Sequence, residues 1–450
     1  MAHGETSTAA SQAPPLAMGL RFNLSLMMFL EFAVWGAWYV VFVPYLVKKG
    51  FSQAQAGALI GNFALGATCS TLFAGYIADR FFASERMMAV LHLVGAGLLY
   101  WMAQIQSPDD YWLLFVVSFA YCLLYNPTLA LTNAITFRHV PDAARDFPTI
   151  RLLGSLGWIA VGFLIDLLFA SGGGKASDTN GPLLLAAGLS AVLGIYCLFA
   201  PHTPPIARTG EAIPFLKAVG LFKDFSFAVF FSISLIITIG LAFYFTSTSA
   251  FLEEKAGVKQ TGSTMLIGQV CELIVLPLLP FFLWRLGMKW VLALGMLCWS
   301  IRYALFAVGG PEGLSYALVI AGIVLHGFCF DFFFIAGSIY VDNEAPRDIR
   351  ASGQALFSFL AYGIGMWLGS LLAGRLMEVY AGDWYRFWLV PCIGILISLI
   401  VFVLLFRTHR RAPVSEDRDN RTGATAPTSS DVYIEEHQNR IQSGEAGVDV

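Results

Sequence analysis

The sequence predicts an all-α membrane protein of twelve transmembrane helices arranged as two six-helix halves, and three observations predict it. Of 450 residues, 57% are hydrophobic and 13% charged, with a mean hydropathy of +0.68; soluble domains carry about 25% charged residues. Twelve apolar segments reach spanning length. Similar charged elements recur at the same places in the first six segments and the last six.

The segments fall at 23–47, 54–78, 87–106, 110–136, 148–171 and 181–200, then 226–251, 261–284, 288–308, 314–340, 351–380 and 384–406. Several exceed the roughly 20 residues that span a hydrocarbon core, so tilt or extension beyond the membrane is expected. Residues 1–20 form a polar Ala/Ser/Pro-rich leader, no cleavable signal peptide is evident, and Met18 is an alternative start. The first half runs over 21–200 and the second over 226–407. The linker 201–225 is the longest between spans and opens with Pro-His-Thr-Pro-Pro. The tail 408–450 is polar, of mixed charge and poor in aromatics, which predicts disorder.

An even number of spans puts both termini on one side. Fifteen Lys and Arg flank the spans on that side, against seven on the other: Lys48, Lys49, Lys175, Lys255, Lys259, Arg375 and Arg386. The positive-inside bias therefore predicts cytoplasmic termini in a cytoplasmic membrane.

The internal repeat lies in the loops. Gly75-Tyr-Ile-Ala-Asp79-Arg80 follows span two, and Trp284-Arg285-Leu-Gly287-Met-Lys289 follows span eight. Arg145-Asp146 follows span four, and Arg347-Asp348-Ile349-Arg350 follows span ten. These are candidate gate charges. Two such halves resemble the major facilitator fold, in which substrate sits between the halves near the midplane.

Glu31, Arg151, Glu272, Arg302, His326 and Asp331 are ionisable positions well within spans. A carboxylate at the bilayer centre costs about 2.5–3.5 kcal/mol on insertion scales, so each is a functional candidate. Asp331 lies near the middle of its span among phenylalanines, beside Phe330, whose ring offers a face to an aromatic solute. Gln269 and Glu272 are three residues apart and share a helical face. Two carboxylates in one dry cavity repel each other and lose hydration, which suits a proton carrier. Against these readings, Glu272 or Asp331 forms a buried ion pair with Arg302 or Arg151, Arg302 is structural, His326 is a helix-contact histidine, and Glu31 faces either the cavity or a neighbouring helix. Asn126-Pro127 in span four and Gly363, Gly365 and Gly369 in span eleven read as helix-contact devices. All seven cysteines fall in apolar segments without metal-ligand spacing.

From about Arg21 to Phe406 the chain resembles the bacterial nucleoside:proton symporters of the major facilitator superfamily. Trp35-Gly-Ala-Trp38, Tyr125-Asn-Pro-Thr-Leu-Ala-Leu-Thr-Asn133 and Phe147-Pro-Thr-Ile-Arg151-Leu-Leu-Gly-Ser155-Leu-Gly-Trp158 carry the likeness in the first half. Gln269-Val-Cys-Glu272, Arg302-Tyr-Ala-Leu-Phe-Ala, Phe330-Asp-Phe-Phe and Ile349-Arg-Ala-Ser-Gly-Gln354 carry it in the second. The resemblance implies that Arg151, Ser155, Trp158, Gln269, Glu272, Phe330 and Asp331 contact nucleoside, and that Glu272 or Asp331 carries the proton. Glu31, which stands where the best-known members have glutamine, is a third proton candidate. Those members have phenylalanine for Trp158, threonine for Ser155 and amides in span seven. Here span seven reads Leu241-Ala-Phe-Tyr244-Phe-Thr246, so base-edge hydrogen bonds are lost and Tyr244 is the candidate to replace one.

The expected function is proton-coupled nucleoside import by alternating access, performed by a monomer in the bilayer. The alternatives are a proton-coupled sugar transporter, an uncoupled facilitator, and a membrane sensor signalling through its tail; competition by monosaccharides and deletion of 412–450 separate these. Without a P-loop, metal cluster or nucleophile–base pair, no cofactor, metal, nucleic acid or enzymatic role is expected.

Overall fold

The structure, a computed structural model, describes residues 14–81, 83–169, 174–204, 219–345 and 350–407, with the backbone alone at 71–81, 143–144 and 350–351. Twelve long helices follow the apolar segments of the sequence. The first six are α1 (Met18–Lys48), α2 (Gln53–Phe81), α3 (Ser84–Gln104), α4 (Tyr111–His139), α5 (Ala143–Phe169) and α6 (Gly181–Cys197). The second six are α7 (Phe225–Glu254), α8 (Thr261–Leu286), α9 (Met288–Val308), α10 (Gly313–Glu344), α11 (Arg350–Ser358 continuing to Met366–Val379) and α12 (Trp384–Leu405). Among the described residues, ten helices are long and apolar enough to cross a membrane, and α6 is a shorter apolar helix.

Local chemistry sets the helix ends. Ser52 and Gln55 form a reciprocal capping box at the start of α2, the Ser52 hydroxyl accepting from the Gln55 N–H at 3.2 Å and the Gln55 side chain from the Ser52 N–H at 2.9 Å. Asp224 and Asp383 cap α7 and α12. Gly287, at φ +76°, turns the chain between α8 and α9.

Three helices depart from regular geometry. A 3₁₀ turn over Leu276–Leu278, containing Pro277, interrupts α8. A π turn over Asp331–Ile335 interrupts α10, and another over Phe359–Gly365 interrupts α11. Such π segments occur frequently at functional sites.

The packing repeats between the halves. In the first half α1 packs on α5, α2 on α4 and α3 on α6; in the second α7 packs on α11, α8 on α10 and α9 on α12. The halves then meet through α2 against α11 and α5 against α8. At the first of these seams Gly57 faces Gly374 so closely that a Cβ on Gly57 would stand 2.6 Å from the Ser370 carbonyl oxygen. Large apolar side chains such as Leu167, Trp284 and Leu404 are exposed on the outside of the bundle, where a hydrocarbon solvent accepts them.

Candidate functional site

A cavity of about 380 Å³ lies between the halves, a size within the usual range for small-molecule sites. From the first half, Arg151, Ser155 and Trp158 reach it from one face of α5, with Phe32 and Trp35 of α1, Phe63 of α2 and Asn126 of α4. From the second half come Phe245 of α7, Gln269 and Glu272 of α8, His326 and Phe330 of α10, and Tyr362 of α11.

Its walls are largely aromatic. Trp35 stacks on Phe63 with centroids 4.6 Å apart and meets Trp158 edge-on at 5.0 Å. Tyr39 contacts Phe245 across the halves at 5.9 Å. The Arg151 guanidinium lies 4.1 Å from the Phe32 ring centroid, a cation–π placement that holds the charge at the cavity rim of α5. Asn126 is turned by two hydrogen bonds to backbone carbonyls, of Phe63 at 3.0 Å and Cys122 at 2.8 Å, and α4 continues through Pro127.

The second half supplies the polar wall. Glu272 is 27% exposed at its side chain, and its Oε2 lies 3.9 Å from His326 Nε2. The Gln269 amide meets His326 Nε2 at 3.2 Å, and Arg302 Nη1 donates to His326 Nδ1 at 2.9 Å. Arg302 is fully buried, with its guanidinium 3.5 Å from the Tyr244 ring centroid.

Several candidates named from the sequence stand elsewhere. Asp331 does not line the cavity: it is fully buried behind Phe330, and neither carboxyl oxygen has a hydrogen-bond partner. The shared chamber expected for Glu272 and Asp331 is thus lined by Glu272 alone, and Asp331 is buried at the first residue of the π turn in α10. Tyr244 is not among the residues lining this cavity; it lines a small adjoining space together with Trp158, Phe245 and Gln269, and its ring stacks on His326 at 5.1 Å. Glu31 is buried in a polar knot, accepting from Thr128 at 2.6 Å and bonded to His92 Nε2 at 2.8 Å, so of the two faces open to it, it takes the neighbouring helices.

Of the loop charges, Asp146 is fully buried and accepts from Arg145 at 2.8 Å and from Arg21 at 2.6 Å, tying the start of α5 to the start of α1. The side chains of Asp79, Arg80 and Arg350, and the whole of Arg347, lie outside the described residues.

Sequence reasoning passed over the contacts that hold the halves together where α1 ends and α8 begins. Glu253 of α7, 3% exposed at its side chain, accepts from Lys48 at 2.8 Å and Ser177 at 2.6 Å, with Lys175 at 3.4 Å. Lys48 also bonds Ser177 and, at 2.9 Å, Asp178. The hydrogen bond from Lys48, then that of the Lys175 backbone, holds the Asp178 carboxyl below the usual carboxylate range. Asp166 of α5 accepts from the backbone N–H and the hydroxyl of Ser263, at 2.7 and 2.6 Å, in the first turn of α8. The Ala54 N–H of α2 donates to Glu378 of α11 at 3.1 Å. Asp166 and His92 are ionisable groups in apolar runs, so the reasoning that found Glu31 would have found them.

A twelve-helix bundle of two repeated halves, with a mixed aromatic and polar cavity between them, defines a membrane solute transporter of the major facilitator type. The family model described as nucleoside H+ symporter matches residues 18–411, and the chain belongs to that family. YegT of Escherichia coli K12 is 39% identical over 404 residues, covering 86% of this chain and 93% of that protein. The nucleoside permease NupG of the same strain is 30% identical over 420 residues, covering 88% and 98%. The crystal structure of nucleoside transporter NupG matches with a TM-score of 0.79 at 30% identity, over 87% of this chain and 100% of that one. PepTSo, a POT family transporter, matches at a TM-score of 0.68 with 12% identity and shares the fold.

Proposed function

We propose that the chain carries a nucleoside together with H⁺ into the cell, binding it in the cavity between the halves and exposing it to either side in turn. The observation that carries this reading is the composition of one cavity. Trp35, Phe63, Trp158 and Phe330 offer faces for a base and a sugar ring, while Arg151, Ser155, Gln269 and Glu272 offer hydrogen bonds. Family membership supplies the substrate class and the coupling ion. One chain completes the cavity, which supports a monomer, and the Lys and Arg asymmetry supports cytoplasmic termini in the cytoplasmic membrane.

Glu272 is the coupling group this reading favours, since it alone of the three acids reaches the solute space. Arg151 faces it from the other half, so solute and proton both change the electrostatic balance across the seam. Asp331, next to Phe330 in the chain, is buried with no donor to either carboxyl oxygen, so a coupling role for it requires that arrangement to change. Asp146, Arg145 and Arg21 belong to the gate at the opposite end of the bundle from Lys48.

The test is uptake of labelled uridine into proteoliposomes under an inward proton gradient. Wild type accumulates it above equilibrium and a protonophore abolishes the gradient. Glu272→Gln is expected to exchange internal for external uridine but not to accumulate it. Normal accumulation by this variant would remove Glu272 as the obligatory coupling site.

A further inference from the structure

We infer that His326 is a positioning residue of the solute site: Arg302 fixes its imidazole in the tautomer with hydrogen on Nε2, and that N–H orients the Gln269 amide so that its NH₂ group is presented to the cavity. This rests on the transport reading above and deepens it.

Arg302, a residue of α9, does not itself reach the cavity. A guanidinium has only donors. With Nη1 at 2.9 Å from His326 Nδ1, that nitrogen must accept. An imidazolium would set N–H against N–H and one buried cation against another, so the ring is neutral and its hydrogen sits on Nε2. The Gln269 amide nitrogen stands 3.2 Å from Nε2, a donor set against a donor once the ring hydrogen is there. Facing a donor, the amide must turn its oxygen toward His326, since the two ends of an amide are interchangeable in shape and only one accepts. Its NH₂ end is then left for the solute.

The arrangement is clamped on every side. The imidazole stacks on Tyr244 at 5.1 Å and on Phe330 at 5.9 Å. The guanidinium lies between the rings of Tyr244, at 3.5 Å, and Trp299, at 5.3 Å. Glycines bring α8 and α10 close enough for the contact: a Cβ on Gly268 would stand 2.9 Å from the His326 Cβ, and one on Gly327 would stand 2.7 Å from the Glu272 nitrogen. Gln269 and Glu272 then present a fixed donor beside a carboxyl on one helical face. The solute atom met by Gln269 is an acceptor, a hydroxyl or carbonyl oxygen.

Two near-isosteric substitutions divide the two functions of the ring. In His326→Gln the amide nitrogen falls near the place of Nε2 and still donates toward Gln269, while Arg302 loses its acceptor. In His326→Asn the amide oxygen falls near the place of Nδ1 and still accepts from Arg302, while the donor is lost. Uridine uptake kinetics in proteoliposomes, with the melting temperature of each purified variant, give the readout. His326→Gln is expected to keep KM within about threefold of wild type, whereas His326→Asn and His326→Phe raise it about tenfold with little change in maximal rate. Gln269→Glu, which still accepts from Nε2 but has no NH₂, is expected to raise KM similarly, and it stands in should a His326 variant fail to fold. The inference is overturned if His326→Asn behaves as wild type while His326→Gln is impaired, which would make the ring only a prop for Arg302. Wild-type KM in all variants overturns it equally. If wild type itself moves no nucleoside, the transport reading falls first and this inference with it.

Discussion

Glu253 is the residue on which closure of the Lys48 end turns, and Glu253→Gln tests that. Its carboxylate is nearly inaccessible and joins α7 of the second half to α1 and to the 176–178 turn of the first. The amide preserves shape and can still accept from Ser177, but the charge that Lys48 meets at 2.8 Å is gone. Lys48 keeps Asp178 as a partner at 2.9 Å, so it is not orphaned. The loss is therefore that of one charge-assisted hydrogen bond, about 1.5–3 kcal/mol, together with the longer Lys175 ion pair at 3.4 Å. All of it falls on the closed state, because the contact spans the seam and exists only when the halves meet. At about 1.4 kcal/mol per decade, the open population at that end rises about 10- to 100-fold. The assay is the rate at which a membrane-impermeant maleimide, added outside intact cells, labels a Ser155→Cys cavity reporter, with the native cysteines as background. Labelling should accelerate by about tenfold or more. An unchanged rate in a variant with wild-type thermal stability would refute both the latch and the assignment of this end to the outside.

Gly57→Ala is expected to act in the same direction. Its Cβ would meet backbone of α11, at 2.6 Å from the Ser370 oxygen and 2.7 Å from the Gly374 Cα, so the seam must part. Overpacking of this kind costs about 1–3 kcal/mol, and the same labelling assay reads it. Glu31→Leu should lower the melting temperature, because the buried His92 Nε2 loses its partner at a cost of about 1–3 kcal/mol. Uridine KM in the folded fraction should stay at the wild-type value, since Glu31 does not line the cavity; a shifted KM with unchanged stability would return Glu31 to the solute site.

The helices were legible in the sequence because a bilayer demands long apolar runs, and the twelve segments anticipated the twelve helices closely. Irregularities inside them were less so. Pro277 marks the 3₁₀ turn in α8, but nothing in the phenylalanine run after Asp331 marks a π turn. In the cavity, two polar pairs at helical spacing share a lining face: Gln269 with Glu272, and Arg151 with Ser155. Glu31 and Asp331 are single polar positions in apolar surroundings. Insertion cost shows that such a residue needs a purpose, but no periodicity shows which way it points. Pairings such as Lys48 with Glu253 and Asp166 with Ser263 join residues about 200 and 100 positions apart. They follow from how the halves dock, which composition does not encode.

Asp331 is an acid buried within a span with nothing in contact, among the described residues, to compensate a charge. Neither oxygen has a hydrogen-bond donor, and the residue is inaccessible. A carboxylate charge left uncompensated inside a protein costs several kcal/mol, whereas the neutral acid costs only the lost hydrogen bonds of one polar group. The described arrangement offers Asp331 no donor, so a charged carboxylate there needs the π turn to rearrange or water to enter. Asp331→Asn replaces the carboxyl with a neutral side chain of nearly the same shape. Its melting temperature at neutral pH is expected to match or exceed that of wild type, while accumulation of uridine against a gradient is lost and exchange survives. The measurement is thermal unfolding of the purified protein paired with uptake and exchange in proteoliposomes. A fall in stability of several degrees would mean that the native carboxyl is charged and compensated, and the argument from burial would fail. Retained accumulation would leave the proton with Glu272 alone.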